Sequence, residues 1–423
     1  MKKIITKIFN QKKLSEKEIA FLQIKKLTKV SKIFKAILSY NDLSDIRFVG
    51  GCVRKILNYE KFDDIDLATN LNPKQVKECL KNNNINFYET GIDHGTITAN
   101  IEKINFEITS LRKDISTDGR RAVVEFTNDW SEDSNRRDFT INSIYADLDG
   151  NLFDPHDGSN DLKKGIVKFI GEPEKRIKED YLRILRYVRF FLNYSKKKHQ
   201  LNVIKIIKQN IKGITNLSKE RLLIELKKLI LSRGFINISK DKSSKEILLL
   251  IFPQLKNIKI FNNLNKYSQN LILKKDFTFV LSLLLIDETD NSDFFFYKFN
   301  VSNETKNRIN FLKEFYISKT KKDKFSKKNL KKILYYHGNT YLIDFIDFQI
   351  FKSKKENKNL IKLKKYFEEL ETPKFPVKAI TLMQKYNIKE GKELGEKLKY
   401  LETLWVENSF QISEKEIDNA MSR

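Results

Sequence analysis

Two cysteines in 423 residues, Cys52 and Cys79, cannot build a disulfide framework, and neither sits in a CxxC or Cys/His cluster with metal spacing. A reducing cytoplasm is the expected compartment. Long apolar runs are also missing. The longest, Phe277 to Ile286, is about half of the ~20 residues a membrane span needs, so no membrane partner is expected. The opening MKKIITKIFNQKK is basic like a signal peptide, but Lys7, Lys12 and Lys13 interrupt any apolar core. The four histidines, His94, His156, His199 and His337, are too few and too scattered for a metal phosphohydrolase domain. Negative charge is short as well: 55 Asp+Glu against 81 Lys+Arg leave a net charge of +26.

That excess has two explanations, a surface that meets phosphate backbones or a compositional drift towards Lys, Ile, Asn and Phe. With 40% hydrophobic and 12% aromatic residues the chain can bury real cores, and its length suggests two to four domains. Residues 1–44 alternate Lys with apolar positions at helical spacing, as in FLQIKKLTKVSKIFKAIL, and form an N-terminal helical extension. From 45 to 170 short β-rich runs (DIRFV, DIDLAT, GTITANI, INFEITSL) alternate with turns and helical stretches. In one of these, PKQVKECLKNN, Asn72 caps and Pro73 starts a helix. From 171 onward the pattern is helical almost to the end. The Lys-rich stretch Ser318 to Lys332 reads as a linker or solvated helix end.

The most informative segment is RFVGGCVRKILNYEKFDDIDLATN, from Arg47 to Asn70. In a strand Asp64 and Asp66 share one face while Ile65 and Leu67 turn to the core. Two carboxylates on one face repel unless a cation neutralises them, and hard oxygen ligands at an open site suit Mg²⁺ held jointly with nucleotide phosphates. Gly50 and Gly51 place no Cβ between backbone and a phosphate. Separately, the glycines read as a surface turn and the aspartates as an exposed strand end. Together they point to a nucleoside triphosphate and its metals.

A second segment, EDYLRILRYVRF, sets Arg183, Arg186 and Arg189 three residues apart, a cationic stripe on a helix, with Asp180 one turn before Arg183. A carboxylate accepts from the exocyclic amine of cytosine or adenine, and an arginine donates to the neighbouring ring acceptors. Uracil and guanine would leave the acceptor unpaired, at a cost of ~1–3 kcal/mol. The plainer reading of the pair is an i,i+3 salt bridge.

These segments resemble the signature of the DNA polymerase β nucleotidyltransferase superfamily. GGCVRKILN…DDIDLAT resembles specifically the class II tRNA nucleotidyltransferases and bacterial poly(A) polymerases, although Lys55 stands where the family usually has Asp. RRDFTINSIYAD (Arg136 to Asp147) and EDYLRILRYVRF match two more family segments. The resemblance implies an α+β fold, a small mixed-sheet nucleotidyltransferase head (45–170) followed by an elongated all-helical neck (171–235), body and tail (236–423). It implies Asp64 and Asp66 as metal-binding catalytic residues, with Glu107 of INFEITSLR as a third carboxylate from a neighbouring strand; a solvent-facing strand Glu is the alternative. It further implies Asp180 and Arg183 as base readers, with Gly50, Gly51, Arg54, Arg137, Arg186 and Arg189 in the nucleotide-binding set. SLRKDISTDGRRAVVEF (Ser110 to Phe126) resembles a flexible loop that helps switch between C and A. NLSKERLLIELKKLI, capped by Ser218, resembles the last neck motif and reads as scaffold. His156-Asp157 resembles a family turn, and 375–410 a C-terminal family segment.

The implied reaction is Mg²⁺-dependent addition of C, C and A to the tRNA 3′ end from CTP and ATP. Alternatives are A-only or CC-only addition, poly(A) synthesis, or a non-catalytic tRNA-binding protein on the same fold.

Overall fold

The computed structural model describes residues 16–422 apart from 62–63, 93–94, 118–121, 318–323 and 354. The basic opening segment, His94 and the start of the Ser318–Lys332 stretch therefore lie outside the described residues. The chain packs as two compact units, Met1–Pro253 and Gln254–Arg423.

The strands of the first unit are β1 (Ile46–Val49), β2 (Ile65–Thr69), β3 (Asn86–Gly91), β4 (Thr96–Ile101), β5 (Ile104–Ser110), β6 (Arg112–Thr117), β7 (Ala122–Phe126), β8 (Tyr145–Ala146) and β9 (Leu152–Phe153). Seven of them form a mixed sheet in the order β3-β4-β5-β2-β1-β8-β9. β2 and β5 run parallel, and the remaining neighbours are antiparallel. Alternation explains why they are strands: in β2, Ile65 and Leu67 are buried while Asp66 between them is half-exposed.

Helices α1 (Glu16–Thr28) and α2 (Ser31–Leu38) precede the sheet, and their apolar stripes belong to its core rather than to an appended extension. Phe21 and Phe34 pack on Phe48 of β1 with ring centroids 5.5 and 5.1 Å apart. A helix with one apolar face has to bury it, and the sheet face beneath Phe48 is the partner. The rest of the head's helices are α3 (Gly51–Leu57), α4 (Pro73–Asn82), α5 (Trp130–Asn135) and α6 (Gly158–Lys164). α4 starts as expected, with Asn72 as the cap, Pro73 at its first position and Gln75 closing a capping box with Asn72.

The polar segment Ser110 to Phe126 is not an irregular loop. β6 and β7 pair as a two-stranded hairpin whose tip, 118–121, lies outside the described residues. Its β-branched and alternating residues supply a ladder that the charged composition hid.

The neck comprises α7 (Pro173–Glu179), α8 (Leu182–Tyr194), α9 (Leu201–Asn210), α10 (Lys219–Ile230) and α11 (Lys242–Ile251). Ser218 caps α10 by accepting from the Arg221 N–H. α10 and α11 both pack on α8, so this helical layer continues past 235. Phe139, Phe169, Tyr187 and Phe190 cluster at centroid separations of 4.8–6.3 Å and weld α8 to the segment that follows α5. Cys52 and Cys79 are free and buried, and burial pushes the Cys52 thiol up to about 12.

The second unit is helical among its described residues: α12 (Lys266–Ile272), α13 (Phe277–Leu285), α14 (Asn291–Phe299), α15 (Asn303–Ile317), α16 (Lys327–Lys352), α17 (Lys358–Glu368), α18 (Ala379–Tyr386), α19 (Lys392–Glu407) and α20 (Glu414–Ser422). The long apolar run is the buried helix α13. Among the described residues no helix is long and apolar enough to cross a membrane. Asp347, fully buried on α16, is held by Lys275 (2.6 Å) and Lys364 (3.0 Å).

Candidate active site

β1 delivers the chain to Gly50, whose φ of 67° is left-handed and favours glycine, and α3 begins at once with Gly51. A Cβ on Gly51 would stand 3.6 Å from Asp66 Oδ2, and one on Gly50 would stand 3.5 Å from Arg137 Nη1. The glycine turn is thus wedged between a carboxylate and a guanidinium. Asp64 is exposed immediately before β2, and Asp66 lies within it. Glu107 is exposed on the adjacent parallel strand β5, in register opposite Asp66.

Asp66 feels the charges of the other two carboxylates. Burial raises the Asp66 carboxyl above its ordinary range, and the charges of Glu107 and Asp64 raise it further, while Arg137 and Arg54 pull it back. Like charges held together by a rigid sheet are a donor set that a hard divalent cation would relieve. Among the described residues no three His, Cys, Asp or Glu side chains gather closely enough to hold a metal alone. The fit is therefore to a cation shared with phosphate oxygens. The described histidines do not contribute: His156 bonds Ser134, His199 stacks on Phe191, and His337 packs near Phe311.

Three of the expected arginines, Arg54, Arg186 and Arg189, are linked to one another, and Arg137 is held in a separate set of bonds. Arg54 is buried, lies over the rings of Phe190 and Tyr194 at 4.9 and 5.0 Å, and donates to Asn142. Its bracing comes from Asn142 and these rings, with Lys55 taking no part in it among the described contacts. Arg54 Nε is buried and has no hydrogen-bond partner among the described residues. Asn142 donates to Asp138 (2.9 Å), which in turn accepts from Arg186 (2.6 Å). Arg189 donates to Glu225 at 2.6 Å and lies 4.4 Å over Phe190. Arg137 is held by Asp133 and Tyr145.

The side chains of Asp180 and Arg183 take different partners. Asp180 has extended backbone between α7 and α8 (φ −154°, ψ 105°), and its carbonyl accepts from the Arg183 N–H at 3.0 Å. Its carboxylate accepts from Arg221 of α10 at 2.8 Å. Arg183 donates to Glu179 (2.7 Å) and to the Arg176 carbonyl (2.8 Å). Arg221 and Glu225, scaffold by sequence, thus touch two expected nucleotide-binding residues. Sequence reasoning does not single out Asp133, Asp138, Asn142 or Tyr145, although Asp138 and Asn142 stand four apart in a segment that the resemblance covers.

Residues 46–168 match the family described as the poly(A) polymerase head domain. The chain is 34% identical over 387 residues to the mitochondrial CCA tRNA nucleotidyltransferase 1 of Mus musculus, covering 88% of this chain and 85% of that protein. It is 32% identical over 303 residues to the CCA-adding enzyme of Staphylococcus haemolyticus, 71% of each. Among solved structures, the Bacillus stearothermophilus CCA-adding enzyme in complex with CTP superposes with a TM-score of 0.68 at 19% identity, covering 93% of this chain and 97% of that one. The Thermotoga maritima CCA-adding enzyme complexed with tRNA gives 0.61 at 18% identity, covering 96% and 98%. Sequence similarity across nearly the whole chain, on this fold, shows that the chain belongs to the CCA tRNA nucleotidyltransferase family.

Proposed function

We propose that this chain adds C, C and A to the tRNA 3′ end, using CTP and ATP without a nucleic acid template. The observation that carries the reading is Asp66 set against the Gly50-Gly51 turn, within the field of Asp64 and Glu107, with Arg54 and Arg137 beside it. In this reading residues 45–170 are the catalytic head, 171–235 the base-reading neck and 236–423 the part that holds tRNA through its backbone.

The 3′-hydroxyl of the tRNA attacks the α-phosphorus of the bound nucleotide, and pyrophosphate leaves. Asp64 and Asp66 would hold Mg²⁺, which would supply charge stabilisation for the displacement when bound. Glu107 completes the negative field opposite Asp66. The turn at Gly50-Gly51 lets the triphosphate approach the backbone, and Arg54 and Arg137 balance its charge. Asp180 and Arg183 read the base edge, which requires their present partners, Arg221 and Glu179, to share or release them. Arg186 and Arg189 line the same side of α8. The free, buried thiols suit a reducing compartment, and we assign the cytoplasm.

Incubating the protein with Mg²⁺ and tRNA transcripts ending at the discriminator base, at C or at CC, one nucleotide at a time, tests this. C addition to the first two and a single A on the third is the expected result. The name of the matching head family favours a second reading, poly(A) synthesis, and a long A tail on any transcript would select it. Addition of C alone or A alone would mark a partner enzyme of a two-protein system, and no addition a tRNA-binding protein.

A further inference from the structure

Asp133 sits at the C-terminal half of α5 with its side chain 1% exposed, and its two carboxylate oxygens serve two different groups of donors. Oδ1 accepts from Arg136 Nε (2.9 Å) and Nη2 (2.6 Å) and, at 3.4 Å, from the backbone N–H of Arg112, the first residue of β6. Oδ2 accepts from Arg137 Nε (3.1 Å) and Nη2 (3.0 Å) and from the Tyr145 hydroxyl (2.6 Å). Tyr145 itself accepts from Arg137 Nε at 2.9 Å, and its strand, β8, pairs with Val49, the residue before the glycine turn.

One edge of the Arg137 guanidinium is therefore fully used. Its Nη1 has no hydrogen-bond partner among the described residues, and it is the atom that lies 3.5 Å from a Cβ placed on Gly50. A buried carboxylate that gripped the whole guanidinium would silence it. This one grips the Nε–Nη2 edge and leaves the Nη1 edge turned to the glycine turn, where a phosphate would lie. Arg136 makes the same fork with Oδ1 but is not placed against the turn.

We propose that Asp133 is the positioning residue for Arg137: with Tyr145 it fixes the guanidinium so that Nη1 meets the nucleotide's phosphates, while its other oxygen holds Arg136 and the root of the β6–β7 hairpin. The proposal rests on the nucleotide-binding reading of the site. A carboxylate that only holds the fold would serve its two groups of donors alike. A positioning carboxylate couples nucleotide affinity to Arg137 and not to Arg136.

A double-mutant cycle on CTP binding, measured by equilibrium dialysis with the full chain, separates these. Asp133→Asn and Arg137→Lys should each weaken CTP binding on the order of tenfold, and the double variant should be no weaker than either alone. Asp133→Asn combined with Arg136→Lys should give the product of the two single effects to within about twofold. Affinity for tRNA should be unchanged in Asp133→Asn. Where Asp133→Asn does not fold, Tyr145→Phe replaces it: it removes one hydroxyl, should weaken CTP binding a few-fold, and should be non-additive with Arg137→Lys. Multiplicative effects of either pair with Arg137→Lys, or unchanged CTP binding in Asp133→Asn, overturn the proposal while leaving the functional reading intact. A wild-type chain that binds no CTP overturns both.

Discussion

Asp66 and Glu107 stand directly opposite each other in the parallel pairing of β2 with β5, one half-buried and the other exposed. Neighbouring parallel strands hold such residues about 5 Å apart at the backbone, so the two charges cannot drift away from one another. Their mutual repulsion is built into the sheet and is available to be relieved by a cation.

Asp64→Ala and Asp66→Ala should each lower nucleotide addition by roughly a thousandfold or more, since several kcal/mol of charge stabilisation are lost. Glu107→Gln should lower it less. Chelation of Mg²⁺ should abolish it in the wild type. Gel-shift affinity for tRNA should stay within a few-fold throughout, and collapse of tRNA binding in the aspartate variants would contradict the assignment.

Asp180→Ala should relax base choice. Loss of a matched acceptor is worth ~1–3 kcal/mol, so preference for C and A over U and G should fall roughly 5- to 150-fold. Single-nucleotide extension of tRNA ending at the discriminator base and of tRNA ending in CC, with each of the four triphosphates, gives the ratios for C and for A. Unchanged selectivity would remove Asp180 from the base-reading role.

Stability should depend on acid in a predictable sense. Burial would raise the Asp138 carboxyl, but Arg186, Asn142 and the Phe139 N–H outweigh it and hold it at about 2. The charges of Arg137 and Arg136 likewise overcome burial to hold Asp133 well below the usual carboxylate range. Groups depressed in the folded state stabilise it fully above the unfolded pKa of ~3.9 and lose that contribution as pH falls through the folded value. Denaturant melts should therefore weaken steeply between about pH 4 and pH 2, with about 2 kcal/mol of the loss from Asp138. In Asp138→Asn the slope over this window should be shallower.

One substitution should have opposite signs at two glycines. A Cβ on Gly158, at the start of α6, would lie 2.1 Å from the Thr140 carbonyl oxygen, and backbone must move to admit it. Gly158→Ala should cost ~1–3 kcal/mol. Gly395 lies inside α19, and a Cβ there would meet nothing within 4 Å. Gly395→Ala should stabilise by about 0.5–1 kcal/mol. Thermal melts of the two variants check both.

What the sequence made legible was local. Alternation placed Asp64 and Asp66 beside a strand, the double glycine marked the turn before α3, and Asn72 and Ser218 announced two helix starts. Non-local partnerships were not legible. The side-chain partner of Asp180 is Arg221, 41 residues on, and no local spacing announces it. Asp133 reaches Arg137 by helical spacing, which a sequence can suggest, but its bonds to Arg112 and Tyr145 depend on how the sheet and hairpin pack. The hairpin β6–β7 was masked by its charges, and the helical spacing that revealed α1 and α2 did not say which core their apolar face joins.

The seating of Phe21 and Phe34 on Phe48 bears on how the head is born. A ribosome releases α1 and α2 before any strand exists, so their apolar stripes wait in solvent until β1 emerges to be covered. Each phenylalanine contributes roughly 1.5–3 kcal/mol of burial. A fragment cut at Asp45, where the recognisable motifs begin, would carry every candidate catalytic residue and still present a bare hydrophobic sheet face. Such a piece should aggregate, and the smallest head that folds by itself should begin upstream of Phe21.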